Sequence, residues 1–227
     1  MNKSKEIIEN MYKFNNTATL IQDLQRLGLK KGMTVIVDSS LNNIGWVAGG
    51  ISAINHALMN VVTEEGTIIM ASHFDYSSSD FKINPICEME YMVECFITYE
   101  GVKFSSYSKD GFVAWGKNAD LIIEDNSEDN SIIKKIYDLD GYILLLGVGH
   151  DANTSLYLSI KEFEDFGSNP KIFNYIGEAF ESKYTVSTSK FGNTYSKLMK
   201  QRELIDFGIE YLKKGAFNTN LKFKSYL

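Results

Sequence analysis

The stretch YILLLGVGHDANTSLYL, Tyr142 to Leu158, decides the fold of this chain. An apolar run of strand length leads to two glycines, then to a polar turn that holds His150 and Asp151, and then to a second apolar segment. A buried strand followed by a polar turn and a helix is the repeating unit of α/β proteins. The stretch therefore predicts an α/β protein with a functional site beyond this strand.

Two earlier segments repeat the pattern of a buried strand with a polar exit. KKGMTVIVDSS ends in Asp38, Ser39 and Ser40, and EEGTIIMASH ends in Ser72 and His73. An amphipathic helix over 51–62 separates the two strands. We predict a central, largely parallel or mixed sheet with helices on both faces, an α-β-α sandwich, as a single domain over residues 1–227. The three polar exits are then neighbours at one edge of the sheet.

Further elements follow from capping and periodicity. The segment 17–27 is a helix with Asn16 or Thr17 as its cap and Gly28 as its stop. GFVAWG, 111–116, is a strand, and a short helix lies near Tyr91. Apolar residues at helical spacing predict a closing helix over YSKLMKQRELIDFGIEYLKK, and the acidic run at 124–131 reads as a solvated loop.

Composition narrows the class of function. The chain has 227 residues, 44% of them hydrophobic, and a formal net charge of −6. No basic cluster supports binding of nucleic acid or of an anionic membrane, and we expect a small-molecule amine as the partner. The N-terminal segment resembles no signal peptide, which predicts a cytoplasmic protein, with a homodimer possible. Two cysteines and three histidines show no metal-ligand spacing, so no metal is expected.

The turn after the third strand fits several motifs. Gly147 to Ala152 matches G-x-G-x-x-G/A, the dinucleotide fingerprint, but no acidic residue follows at the expected distance. A phosphate-binding P-loop is absent from the sequence, and neither cysteine lies at a strand-to-helix elbow. His150 and Asp151 are either a reactive pair or a hydrogen-bonded loop that closes the strand, with Asp151 or Asn153 capping the next helix. The residues alone leave both interpretations open.

Several stretches together resemble the aminoglycoside 3-N-acetyltransferase family, in order and over nearly the whole chain. They are VIVDSSLNNIGWVAGGISAINHAL, EEGTIIMASH, GVKFSSYSKDGFVAWGKNADLII, YDLDGYILLLGVGHDANTSLYL, IGEAFE and GNTYSKLMKQRELIDFGIEYL. The resemblance implies acetyl-CoA as donor and acetylation of an amine on an aminosugar. By position it implies coenzyme contacts from Asp38, Ser39, Ser40, Leu41, His73, Ser105, Ser106 and Phe112, and substrate contacts from Tyr107 and Asn153.

The departures from the family pattern concern the catalytic residues. The family usually has histidine where this chain has Asp38, and His-Pro where it has Tyr107-Ser108. After the G-x-G-H-D turn the family has a histidine and a glutamate, thought to be the base and its partner, where this chain has Tyr157 and Ile160. Tyrosine is a poor base near neutral pH but can donate to sulfur or orient the amine. We therefore predict His150 as the base, Asp151 as the residue that fixes the turn, and Tyr157 as a third catalytic residue.

The sequence thus favours a CoA-dependent N-acyltransferase. The acceptor is an aminoglycoside or an amino-deoxysugar on a nucleotide carrier. A family member that binds CoA but has lost efficient catalysis is a second hypothesis. A dinucleotide-dependent oxidoreductase built on the G-x-G turn is the third and weakest one.

Overall fold

The computed structural model describes residues 15–72, 88–105, 111–124, 131–160 and 171–214. The strands are β1 (Thr34–Ser39), β2 (Thr67–Ser72), β3 (Lys103–Phe104), β4 (Gly111–Gly116), β5 (Tyr142–Leu146), β6 (Ser187–Phe191) and β7 (Thr194–Lys200). The α-helices are α1 (Thr17–Leu27), α2 (Leu41–Ile44), α3 (Gly50–Val62), α4 (Glu88–Phe96), α5 (Ala119–Ile123), α6 (Ile132–Asp138), α7 (Thr154–Ile160), α8 (Lys171–Glu181) and α9 (Gln201–Lys213). A 3-10 turn, His150–Ala152, joins β5 to α7.

The seven strands form one mixed sheet in the order β3-β4-β2-β1-β5-β7-β6. β1 lies between β2 and β5 and is parallel to both. The outer strands are antiparallel, β4 to β2 and β7 to β5 among them. The three strands predicted to have polar exits, β1, β2 and β5, are the parallel ones, so their carboxyl ends meet at one edge of the sheet.

Helices cover both faces of the sheet, which confirms the predicted α/β sandwich. Side chains alternate between the faces of a strand, and β1 shows this directly. Val35 and Val37 belong to a core with α1, α3 and α4. Ile36 belongs to a second core with the helices α5 to α9. Asp38, two residues after Ile36, lies on the face of the second core.

Capping bears out the first predicted helix. The Asn16 side chain accepts hydrogen bonds from the backbone of Ala18 and Thr19 at the start of α1. The helix ends at Gly28, whose φ of 101° lies in the left-handed region that glycine adopts without strain. The strand predicted at GFVAWG is β4, and α4 contains Tyr91.

The predicted closing helix is only half correct. Residues 194–200 form β7, which pairs with both β5 and β6, and the helix begins at Gln201. Leu198 has helical spacing with Leu204 and Ile205, but pairing within the sheet overrides that local pattern. A two-residue turn at Gly192 and Asn193 joins β6 to β7, with φ of 59° at Gly192, and it is a hairpin signal that the sequence offered. The loop predicted at 124–131 lies almost wholly outside the described residues.

Candidate active site

A cavity of about 200 Å³ opens at the carboxyl end of β2, under α7. Ser72 and Gly111 are paired residues of β2 and β4 at its floor. Its lining consists of Ala71, Ser72, Gly111, Phe112, Asp151, Ala152, Asn153, Thr154, Tyr157 and Leu158. The predicted meeting of the strand exits is confirmed for Ser72 and Asp151, because both line this cavity.

Asn153 fixes the start of α7 and also lines the cavity. Its side-chain oxygen accepts a hydrogen bond of 3.0 Å from the backbone N–H of Leu156. Of the two predicted caps, Asn153 therefore fills the role, and its side chain is 1% exposed. Asp151 is exposed, and its backbone N–H donates to the side chain of Asn174 in α8 at 3.1 Å. The α8 contact holds the turn in place.

His150 is buried beneath this turn and does not line the cavity. The ring packs against Gly177 of α8 so closely that a Cβ there would lie 2.1 Å from ring carbons. Its Nε2 is 2.7 Å from Oε1 of Glu181, and the same oxygen accepts from Lys197 Nζ at 2.5 Å. On the other side of the ring, Nδ1 is 3.5 Å from the amide nitrogen of Asn153. A chain of polar contacts thus runs from β7 through α8 to the start of α7.

The charges of this chain of contacts follow from burial and pairing. Burial lowers the pKa of His150 below its usual value, although Glu181 opposes the shift. Burial would raise the pKa of Glu181, but the hydrogen bonds from Lys197 and His150 outweigh it and lower the pKa. Near neutral pH the arrangement is a neutral imidazole, an ionised carboxylate and a lysine cation. Nε2–H then donates to Glu181, and Nδ1 accepts from Asn153.

Asp38 occupies the end of β1 and is completely buried. One carboxylate oxygen accepts from the Thr154 hydroxyl at 2.5 Å, and the other accepts from the Thr154 backbone N–H at 3.2 Å. Burial raises the pKa of Asp38 to about 7, although the two bonds from Thr154 oppose the shift. Asp38 does not line the cavity, but Thr154 does.

The two positions where this chain departs from the family pattern on α7 face opposite ways. Tyr157 is 44% exposed, lines the cavity and packs edge-on against Phe173 of α8 with ring centroids 5.8 Å apart. Ile160 is 0% exposed and belongs to the second core. A tyrosine therefore lines the cavity at the first position, and an aliphatic side chain is buried in the core at the second.

The predicted coenzyme residues divide into three groups. Phe112 lines the cavity. Ser39 lies on the opposite face of the sheet, where its hydroxyl contacts Met92 Sδ at 3.1 Å, and Ser40 caps α2, which begins at Leu41. Ser105 stays at the sheet edge, where its hydroxyl accepts from the Phe112 N–H at 2.9 Å. His73 and Ser106 lie outside the described residues, as does Tyr107, which was predicted to contact the substrate.

Sequence reasoning did not select several residues that the structure brings to the site. Thr154 directly follows the predicted Asn153, so its position in the same turn was the available signal. Glu181 ends the IGEAFE stretch that carried the family resemblance. Lys197 gave no signal, because it lies in the strand that was read as a helix.

No group of three or more metal-ligating side chains lies together within the described ranges. Among the helices that the structure describes, none has the length and apolar character needed to cross a bilayer.

A family model and two relatives match this chain. The model of the aminoglycoside 3-N-acetyltransferase family matches residues 36–159. The SPbeta prophage-derived aminoglycoside N(3')-acetyltransferase-like protein YokD of Bacillus subtilis is 32% identical, over 89% of this chain and 94% of that protein. Aminoglycoside N(3)-acetyltransferase IV of Salmonella sp is also 32% identical, over 63% of this chain and 57% of that enzyme.

Solved structures of the same kind share the fold. The crystal structure of YokD superposes with a TM-score of 0.78 at 29% identity, over 91% of this chain and 96% of that one. The binary complex of AAC-IIIb with CoASH superposes with a TM-score of 0.77 at 19% identity, over 94% of this chain and 100% of that one. No comparison favours the dinucleotide-dependent alternative. The chain belongs to the aminoglycoside 3-N-acetyltransferase family, a family of acyltransferases.

Proposed function

We propose that this protein transfers the acetyl group of acetyl-CoA to an amino group of an aminosugar. One observation carries the proposal: every residue that lines the cavity lies within residues 36–159, the segment that matches the family model. The cavity also opens at the carboxyl edge of the parallel strands, the usual ligand site of open α/β sheets. We further propose that residues 1–227 act as one domain, in the cytoplasm.

The cavity fits the reacting end of the donor better than a whole coenzyme. Its volume of about 200 Å³ is below the ~300–1,000 Å³ of pockets that enclose drug-sized ligands. Ala71, Gly111, Phe112 and Leu158 provide apolar walls of the kind that an acetyl thioester requires. When bound, acetyl-CoA would supply an activated acyl group on a sulfur leaving group. The CoASH complex of AAC-IIIb supports this donor.

The acceptor is recognised through charge and hydrogen bonding. Asp151 is exposed at the cavity, and the chain as a whole is acidic, which favours a cationic aminosugar. The Asn153 side chain lies at the inner wall, already fixed by its helix-capping bond. Positioning an amine beside a thioester in this way can provide much of the rate acceleration by itself.

Tyr157 is the residue that we assign to the departing sulfur. Its ring packs against Phe173, and the residue lines the cavity. A hydroxyl that donates a hydrogen bond to sulfur as negative charge develops there stabilises the transition state. The same hydroxyl can orient the amine, as the sequence suggested.

His150, the base predicted from the sequence, reaches the cavity only through Asn153. Its Nε2 is engaged by Glu181 and its Nδ1 faces the Asn153 amide. A role as base requires Asn153 to move aside. We propose instead that His150 is a positioning residue, which holds Asn153 at the start of α7.

The test combines binding with turnover. Calorimetry with acetyl-CoA and CoA should show binding, and NAD(P) should not bind. A free-thiol assay over a panel of aminoglycosides and other amines should show transfer that is slower than that of the Salmonella relative, because Tyr157 and Ile160 replace the expected histidine and glutamate. Binding of CoA without transfer to any amine would indicate a family member that has lost catalysis. Absence of CoA binding at millimolar concentration would refute the proposal.

A further inference from the structure

The carboxyl group of Asp38 is a buried ionisable group that the proposed mechanism does not yet use. Asp38 pairs with Leu145 in the sheet and shares a face with the apolar second core. Its two oxygens accept from the hydroxyl and from the N–H of Thr154. Buried carboxylates are normally paired with a cation or protonated, so its surroundings decide its charge.

No charged partner stabilises the ionised form of Asp38 within the described part of the chain. Burial is the main cause of its raised pKa, and only the bonds from Thr154 oppose it. The other ionisable groups on the elements packed around Asp38 are not among these causes. They are His150 and Asp151 in the turn, Tyr157 in α7, Tyr142 in β5, and Lys134, Lys135, Tyr137 and Asp138 in α6. Asp38 therefore changes its protonation close to neutral pH.

Thr154 connects this carboxyl group to the cavity. Its hydroxyl donates to Asp38 and keeps lone pairs that can accept a proton from the other side. Asn153, which stands between His150 and the cavity, has an amide that does not readily accept and release protons in this way. Asp38 therefore has a better proton path to the cavity than His150, the other buried ionisable group beside α7.

We propose that Thr154 and Asp38 form a hydroxyl–carboxylate relay that accepts the proton released by the acceptor amine. This assignment rests on the proposed acetyl transfer. Thr154 is the catalytic residue, because it lines the cavity, and Asp38 acts through it. The relay takes the part that the family assigns to the histidine replaced here by Tyr157.

The step balances without a further reactant except water. The amine nitrogen forms the C–N bond while the C–S bond of the thioester breaks, and its electron pair stays on sulfur. The nitrogen gives its proton to Thr154 Oγ1 as the threonine proton passes to Asp38. Sulfur takes a proton from water, and Asp38 returns its proton to water by the reverse path.

The kinetic test uses the full chain and the best acceptor from the amine panel. The pH profile of kcat/KM should rise through about pH 7, where Asp38 ionises. Thr154→Val should lower kcat/KM by ~10²-fold, the lower range for loss of general base catalysis, and Thr154→Ser should recover most of the loss. Asp38→Asn should lower the rate similarly and remove the rise near pH 7. Asp138→Asn, the same change at an exposed residue of α6, should leave the profile unchanged.

An unchanged profile in Asp38→Asn, or full activity in Thr154→Val, would overturn the relay. Loss of the rise in His150→Ala alone would transfer the role of base to His150.

A second measurement does not depend on turnover. Carbon-13 NMR of the labelled Asp38 carboxyl should show titration near pH 7, and the pKa should rise further in Thr154→Val because a bond that lowers it is lost. Titration below pH 5 in the wild-type protein would overturn the relay even if no acceptor were found. Absence of turnover together with titration near pH 7 would reject the acceptors tested and uphold the coupling of Asp38 to Thr154.

Discussion

Two buried ionisable clusters lie beside the start of α7, and they are built differently. At the end of β1, Asp38 is held by a threonine hydroxyl and a backbone N–H, without a charged partner among the causes of its shifted pKa. After β5, His150 contacts Glu181, which in turn binds Lys197. The first cluster leaves one carboxyl ready to titrate, whereas the second fixes its charges by pairing. The titratable Asp38 suits the proposed proton transfer, and the paired charges around His150 suit a role in holding Asn153 in position.

The two clusters also oppose each other in their effect on stability. The folded-state pKa of Asp38 is raised, so its contribution is fully present below the unfolded value of 3.8 and is lost as the pH rises through about 7. The folded-state pKa of His150 is lowered below 6.5, so its contribution is present above that value and is lost as the pH falls. Asp38 therefore lowers stability towards high pH, and His150 lowers it towards low pH.

The largest expected effect concerns Asp38. A pKa that rises from 3.8 to about 7 corresponds to about 4 kcal/mol of unfolding free energy once the group is ionised. Relative to the wild type, Asp38→Asn should therefore gain about 3 kcal/mol between pH 5 and pH 8. Urea denaturation at both pH values measures the change, with Asp138→Asn as the exposed control. If the difference in unfolding free energy between Asp38→Asn and the wild type were the same at pH 5 and pH 8, Asp38 would not titrate in this range and the two clusters would not differ in this respect.

The second effect breaks the other cluster. Glu181→Leu removes the acceptor of the buried His150 N–H and of Lys197, which should reduce stability by ~1–3 kcal/mol. Glu181→Gln keeps one carbonyl oxygen and should lose less. Thermal unfolding of the two variants at the same pH gives the comparison. Equal losses would mean that the charge of Glu181, and not its acceptor oxygen, carries the contribution.

The third prediction concerns Tyr157, which belongs to neither cluster, and its contribution to the rate of acetyl transfer. Tyr157→Phe keeps the contact with Phe173 but removes the hydroxyl, so the melting temperature should change little. The rate of acetyl transfer should fall ~10-fold, the value of one hydrogen bond of ~1.4 kcal/mol in the transition state. The free-thiol assay measures the rate. A fall of 10³-fold would place the main catalytic group at Tyr157 and leave the relay a minor part.

The smallest expected effect comes from replacing Lys197 in the second cluster. Lys197 lowers the pKa of His150 by its charge, so Lys197→Met should raise that pKa, as seen by proton NMR of the imidazole. Because both Lys197 and Glu181 are partly exposed, the stability change at neutral pH should stay within ~1 kcal/mol. A lower pKa in the variant would show that Lys197 acts on His150 mainly by holding Glu181 in place.

The sequence predicted what local pattern controls and missed what distant contacts control. The strands that end at Ser39, Ser72 and Leu146 were predicted because an apolar run with a polar exit is a local signal. The antiparallel strand at 194–200 was misread because its pairing with β5 joins residues far apart in the chain. Long-range pairing of this kind leaves a weak trace in the spacing of single residues.

The site followed the same division. Asn153 and Tyr157 were predicted and line the cavity, since Asn153 caps the short helix that carries Tyr157. The bond between Asp38 and Thr154 spans 116 positions, and no local pattern shows it. Ile160→Glu would restore the family pattern, but it would also bury an unpaired charge in the second core.

Ser105 and Phe112 join the two ends of the segment 106–110. The Ser105 N–H donates to the Phe112 carbonyl, and the Phe112 N–H donates to the Ser105 hydroxyl, both at 2.9 Å. Loop closure depends weakly on length, by about 0.6 kcal/mol for each doubling. A lineage of this fold can therefore lengthen, shorten or exchange these residues while Phe112 keeps its place at the cavity. A change of length between Ser105 and Phe112 is therefore compatible with an unchanged sheet.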